Sequence, residues 1–247
     1  MVRNILEECG DATSVDGLVG GVLDEGRAGT MQRIENGVWR AVLGAPGYSP
    51  VVTLRGEVGT SNMLTRDLKT KICYEKYLME NGNELLKETY LETTRENMGE
   101  WSRTVREYRR THEISEEKLR NISRKKIKNE IQMRDSIRWE EEKESKTTLE
   151  LYSRCKKKIG EEQIYENDFN YVLMYRCLSN TLKLKWRNRF AGGDERCDLC
   201  GGSEVETLEH FLLDCVSLEE VRRRRGMQGV PVEEVLLFEV GGWEVHR

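Results

Sequence analysis

The chain has 247 residues, length for one large or two small domains, with 34% charged and 7% aromatic residues and a net charge of −4. No run approaches the roughly 18 apolar residues that a membrane span needs, so no membrane partner is expected. Acidic residues come early (Glu7, Glu8, Asp11) with no long apolar stretch, so no secretory leader is expected either. The near-neutral total hides a segregation. Residues 1–100 hold 11 basic and 16 acidic groups, residues 101–190 hold 23 and 15, and residues 191–247 hold 6 and 13. A basic middle between two acidic ends is a feature of nucleic-acid-binding chains. Seven cysteines, an odd number, argue against a disulfide framework and for a reducing, intracellular setting, nuclear or cytoplasmic.

In chain order, residues 1–29 carry recurrent glycines and no period, and little ordered structure is expected there. Residues 30–43 predict a helix with Thr30 as N-cap, a face of Met31, Ile34, Val38 and Val42, and Gly44 as C-cap. Pro46-Gly47 is a turn. Ser49 and Pro50 begin a short helix that Gly56 and Gly59 end. Asn62 begins a longer helix with Leu64, Leu68, Ile72 and Met79 on one face, closed by Asn81-Gly82, and another helix starts near Glu84. From about 100 to 163 charges crowd the chain. Ile114, Leu119, Ile122, Ile127, Ile131 and Ile137 are spaced irregularly, which predicts one or two long solvated helices with a thin apolar seam.

Asp168 can cap a helix containing Phe169, Val172, Leu173, Cys177 and Leu178. Next comes an alternation: Leu182, Leu184, Trp186 and Phe190 on one parity, Lys183, Lys185, Arg187 and Arg189 on the other. Period two predicts a strand, or a helix end running into extended chain. Helices are expected around 204–214, around 217–225 with Gly226 as stop, and from Pro231 onward.

The pattern Cys197-Asp-Leu-Cys200, His210, Cys215 has the ligand types and spacing of a structural Zn2+ site. Two thiolates come from one tight turn, and Gly201 and Gly202 follow it. Ser203 with Glu206 resembles a capping box that would put His210 on a helix. On a regular helix His210 and Cys215 would sit ~140° apart, so the helix must end or loosen before Cys215. With all four corners filled, no position is open for a reacting water. No catalytic constellation is visible. The nine Asp never occur as an adjacent pair, and phosphate-binding loops and a Gly-x-Ser-x-Gly elbow are absent. His112 and His246 have no nearby nucleophile.

Two separated stretches resemble one family. Arg33-Ile-Glu-Asn-Gly-Val-Trp-Arg-Ala-Val-Leu-Gly-Ala-Pro-Gly-Tyr-Ser-Pro50, continuing to Leu54-Arg55-Gly56-Glu57-Val-Gly59, is similar to the region just downstream of the palm in reverse transcriptases of non-LTR (LINE-like) retrotransposons. Cys197 to Cys215, with its Glu-Thr-Leu-Glu-His210 portion, is similar to the C-terminal Cys-Cys-His-Cys knuckle of the same proteins. The resemblance implies a mainly α chain: a thumb-like helical bundle, a long charged helical linker and a small C-terminal zinc knuckle. The expected organisation is an N-terminal segment 1–29, a thumb-like region 30–100, a linker 101–165, a basic segment with the knuckle 166–226, and a tail 227–247. Family members carry an Ala-Asp-Asp centre in the palm and usually an endonuclease. Neither is present, so a non-enzymatic C-terminal piece is expected, with the remainder of a reverse transcriptase as a partner.

RNA or DNA, bound with low sequence specificity, is the expected ligand. The cations that can meet phosphate include Arg106, Arg109 and Arg110, then Arg124, Lys125, Lys126 and Lys128, then Lys156, Lys157 and Lys158. The favoured set is Lys183, Lys185, Arg187 and Arg189, with Trp186 placed to stack on a base. Interleaved acids around the first three runs argue for solvated helix faces instead. Arg222 to Arg225 are expected to stabilise a helix C-terminus. The alternatives are a zinc-stabilised helical protein-interaction module, or a decayed reading frame.

Overall fold

The computed structural model describes residues 25–81, 83–96, 99–111, 114–160 and 170–238. They are mainly α-helical, as expected, and among them the β pairing is a single antiparallel bridge between Arg196 and Val205. In chain order the helices are α1 (Glu25–Val42), α2 (Val51–Val58), α3 (Met63–Asn81), α4 (Glu84–Arg95), α5 (Glu100–Thr111), α6 (Glu116–Asn121), α7 (Arg124–Glu144), α8 (Glu150–Cys155), α9 (Asn170–Leu178), α10 (Glu219–Arg225) and α11 (Val232–Phe238). No described helix is long and apolar enough to cross a membrane. The expected features at 1–24, Gly82, His112, Asp168, Phe169 and His246 lie outside the described residues.

The chain divides into two compact units, each built from discontinuous segments. One holds residues up to Asn36 with Gly59–Glu140, the other Gly37–Val58 with the chain from Glu141 onward. This division crosses the predicted boundaries at 100 and 165.

In the first unit, Asn62 caps α3 as predicted: its Oδ1 accepts from the Thr65 N–H at 2.7 Å. Leu68, Ile72 and Met79 then face a core with Val105, Ile114, Leu119, Ile122, Ile127 and Ile131, whereas Leu64, expected on the same face, is 49% exposed. The predicted thin seam of a solvated linker is therefore corrected: its isoleucines, Ile137 apart, complete the apolar face of α3. The irregular spacing arises because Leu119 comes from α6, Ile127 and Ile131 from α7, and Ile114 and Ile122 from the turns before them. Ser115 and Ser123 break the run, capping α6 and α7 through the N–H groups of Lys118 and Lys126. Polar groups are buried here too. Glu75 accepts from Tyr90 Oη and from Arg109 at 2.9 Å, and Thr65 donates to Asp135 at 3.1 Å.

The predicted face of α1 is also corrected. Ile34 is 65% exposed, whereas Ala28, Asn36, Trp39 and Leu43 are buried. Thr30 lies inside the helix, its hydroxyl bonded back to the Gly26 carbonyl at 2.9 Å. The buried stripe carries Asn36, which takes a hydrogen bond from Gln32 at 3.0 Å, so hydrophobicity alone misplaced the face.

In the second unit, Gly44 ends the helical turn at φ +57, and a Cβ there would lie 2.7 Å from Val172 of α9. Only glycine satisfies both the left-handed backbone and this approach. The Gly44 carbonyl accepts from Arg176 at 2.8 and 3.1 Å, and Tyr171 donates to the Val42 carbonyl at 3.2 Å. The Leu54-Arg55-Gly56-Glu57 stretch is wholly buried within α2. Its Glu57 meets Lys156 at 3.6 Å, and the Gly56 carbonyl accepts from the Gly160 N–H at 3.0 Å. Gly56 is internal to the helix rather than its stop, and Gly59, at φ +75, takes the left-handed conformation just past its end. The two stretches that carried the first resemblance thus form docking surfaces for later parts of the chain.

Candidate metal centre

Cys197, Cys200, His210 and Cys215 come together, their ligand atoms all within 4.8 Å of one another, and can hold a metal ion. Two short elements bring them there. The first is a narrow ribbon. The Cys197 N–H donates to the Glu204 carbonyl at 3.0 Å, and Glu206 N–H to the Glu195 carbonyl at 2.9 Å. Gly201, at φ +62, turns the chain directly after the second cysteine. The second element begins at Thr207, whose hydroxyl accepts from the His210 N–H at 3.0 Å. Thr207, not the predicted Ser203 and Glu206, is therefore the cap. From His210 to Asp214 the helix widens into a π turn, and the Cys215 N–H reaches the His210 carbonyl at 2.7 Å. That i to i+5 closure is the loosening that the five-residue spacing demands.

Cys197 Sγ and Cys215 Sγ are 3.9 Å apart, and Cys200 Sγ lies 3.6 Å from His210 Nε2. The thiol pair is far beyond the ~2.05 Å of a disulfide. Burial pushes the Cys197 thiol up, but the N–H groups of Cys200 and Leu199, with His210 and Cys200, outweigh it and draw it down to about 7. Cys215 is pushed up by burial, which the Ser217 N–H only partly offsets, and by Cys197 beside it. A cation held between these sulfurs would displace thiol protons, because the thiolate is the form that ligates a metal.

Supporting contacts fix these ligands from outside, and sequence reasoning missed them. Ser217 donates to the Leu199 carbonyl at 2.8 Å. Arg222, expected only as a helix-end charge, is buried and donates to the Cys215 carbonyl at 2.7 Å. Its position seven residues after Cys215, on the helix that follows the last ligand, was the available signal.

The favoured basic run lies against this centre, but not as predicted. The expected strand is a 3-10 helix, Lys185–Ala191. Trp186 is buried, so the predicted base-stacking role is corrected: Leu184 and Trp186 pack inward and leave no open indole face. The Lys185 ammonium pairs with Asp198, between the two cysteines, while its N–H donates to Glu206 at 2.7 Å. The Arg187 guanidinium sits 4.2 Å from the Tyr48 ring centroid and donates to the Asn180 carbonyl at 3.0 Å. Arg189 lies over both Trp186 and Phe190, each at 5.0 Å. Lys183 and Arg189 are the exposed members of the set. A cavity of ≈ 620 Å³ beside the centre is lined by Glu204, Glu209 and Asp214 among others, a lining that repels phosphate.

The other runs are similarly mixed. Arg109 is held by Glu75, and Arg110 pairs with Glu107 at 2.6 Å. Lys156 is buried against Glu57, while Lys157 and Lys158 are exposed. No protein-family model matches the chain, and no curated protein or solved structure matches it.

Proposed function

We propose that this chain is a non-catalytic, nucleic-acid-binding segment whose C-terminal unit is held by one structural Zn2+. It corresponds, on this reading, to the thumb, linker and knuckle of a non-LTR retrotransposon reverse transcriptase, acting with the rest of such a protein on RNA or DNA without strong sequence preference.

The observation that carries the reading is the convergence of Cys197, Cys200, His210 and Cys215. Three thiolates and an imidazole are a soft donor set that favours zinc over magnesium or calcium. Zinc–sulfur bonds of ~2.3 Å and zinc–nitrogen bonds of ~2.0–2.1 Å give tetrahedral edges of about 3.8 and 3.6 Å. The separations of 3.9 and 3.6 Å between the sulfurs and between sulfur and imidazole fit those edges. A closed shell of four protein ligands supports a structural rather than a catalytic ion. A protein-binding module is the second reading, favoured by Leu199, Val216 and Val221, which stand exposed on the same unit.

Metal analysis of the purified chain should find one equivalent of zinc, lost in Cys197→Ser. Gel shifts with RNA and DNA should weaken steeply as salt rises, because phosphate contacts release counterions. A folded chain without zinc sinks the metal reading. Absence of any shift at low salt favours the protein-binding module.

A further inference from the structure

The longest acid-free cationic stretch of the first unit runs from Lys118 to Asn129 and holds Lys118, Arg120, Arg124, Lys125, Lys126 and Lys128. Its end forms the first turns of α7. Lys125, Lys126 and Lys128 are exposed there. On α3, Lys69, Cys73 and Tyr77 recur at intervals of four, on one side of the helix. The two helices meet along this line. The Arg124 guanidinium lies 5.4 Å from the centroid of the Tyr77 ring, and the Tyr74 ring stacks on Tyr77 at 6.2 Å with planes 19° apart. Tyr77 is 43% exposed. Arg124 also pairs with Glu80 at 3.1 Å, which holds it beside the ring. Lys128, Lys69 and Arg124 all act to lower the Cys73 thiol against its burial, so the three cations lie within electrostatic reach of it. Among the described residues, neither Lys69 nor Lys128 has an anionic partner.

We infer that this face of α3 and α7 binds single-stranded nucleic acid, with Tyr77 and Arg124 as the stacking platform and Lys69 and Lys128 on the backbone phosphates. The inference rests on the nucleic-acid reading above but assigns the contact to the first unit. A stacked ring pair edged by unpaired cations suits unstacked bases, since every base has a π face. A duplex, whose bases are already stacked, would leave the ring unused. An acidic peptide would use the charges alone.

The test is fluorescence anisotropy of the zinc-loaded full chain with labelled oligo-U and oligo-dT across a salt series. Tyr77→Ala should weaken binding about tenfold, within the ~1–3 kcal/mol that base–aromatic stacking contributes. Tyr77→Phe, which keeps the ring, should bind as the parent does. Lys69→Gln with Lys128→Gln should lower the salt slope by about 1.4, two phosphates at ~0.7 each. The relative strength of the two oligomers separates RNA from DNA. Melting curves confirm that each variant is folded, and the exposure of Tyr77 makes this expected. Unchanged binding in Tyr77→Ala, or an unchanged slope in the double variant, overturns the inference. If Lys183→Gln with Arg189→Gln alone abolishes binding, this surface is wrong and the broader function stands. If the parent chain binds neither oligomer at low salt, both fall.

Discussion

Two basic runs of this chain look alike on paper, four cations within a few residues and no acid among them. At Lys183–Arg189 the cations alternate with Leu184, Trp186 and Asn188. Folding ties Lys185 to Asp198, Arg187 to Tyr48 and Arg189 to two rings, and buries Trp186. At Arg124–Lys128 they crowd the start of α7, and Lys125, Lys126 and Lys128 reach solvent. The surroundings sharpen the contrast. From residue 183 to 215 seven acidic side chains outnumber five basic ones, and three ligating thiolates would outweigh one divalent ion. Local charge in the sequence therefore says little about which cations stay available for phosphate. What matters is whether the intervening residues are drawn into a core.

The largest expected effect separates the runs by metal. A structural zinc ion contributes on the order of 10 kcal/mol at neutral pH. Chelation should therefore abolish amide-exchange protection at 195–215. Because Lys185 is bonded to Asp198 and Glu206, protection at 185–191 should fall with it. Protection in α3 and α7 should persist. Retained protection at 185–191 would break the claim that the metal centre holds this turn.

A smaller effect is expected at the third run. Lys156 pairs with the buried Glu57 and donates to the Gly160 carbonyl at 2.6 Å. Lys156→Ala should lower unfolding stability by about 3–5 kcal/mol, since it removes the cation beside a buried carboxylate. Lys157→Ala and Lys158→Ala should each stay within ~0.5 kcal/mol. Urea unfolding measures all three, and equal losses would mean that burial does not distinguish them.

The smallest effect reads the field at α7. Burial raises the Cys73 thiol above its ordinary range, while Lys128, Lys69 and Arg124 act downward. Removing two cations raises it further, so at a fixed pH below that point the thiolate fraction falls. Lys69→Gln with Lys128→Gln should slow Cys73 alkylation severalfold, while Lys183→Gln should leave it unchanged. Equal rates in parent and double variant would show that these lysines do not act on the thiol.

The sequence disclosed most where one local signal sufficed. Asn62 caps α3, Gly226 ends α10 at φ +64, and Pro231 begins α11. The metal ligands were legible because their spacing is specific, and even the need for a loosened helix could be deduced. Faces were less legible. The α1 stripe includes Asn36, whose hydrogen bond with Gln32 lets it go inward while Ile34 stays out. The isoleucines from Ile114 to Ile131 look ragged because two capped helices and the turns before them share one core with α3. The Lys183–Arg189 alternation predicts a strand, or a helix end running into extended chain, but Leu184 is extended, at φ −109 and ψ 155, and the 3-10 turn after it, with three residues per turn, pins Trp186 inward. Arg222 was placed on the correct helix, but its bond to Cys215 depends on a turn that only the folded chain reveals.

The π turn between His210 and Asp214 bears on how the length of this segment can vary. On a regular helix, residues four apart lie about 40° from each other. A chain one residue shorter between His210 and Cys215 would bring the same side chains together with no widening at all. The wide turn is the form in which one additional residue is absorbed on the spot. Everything after Cys215, including the hold of Arg222 on its carbonyl, keeps its phase. Deletion of one residue between His210 and Cys215 should therefore keep the metal bound, whereas deletion of one between Cys197 and Cys200 should lose it.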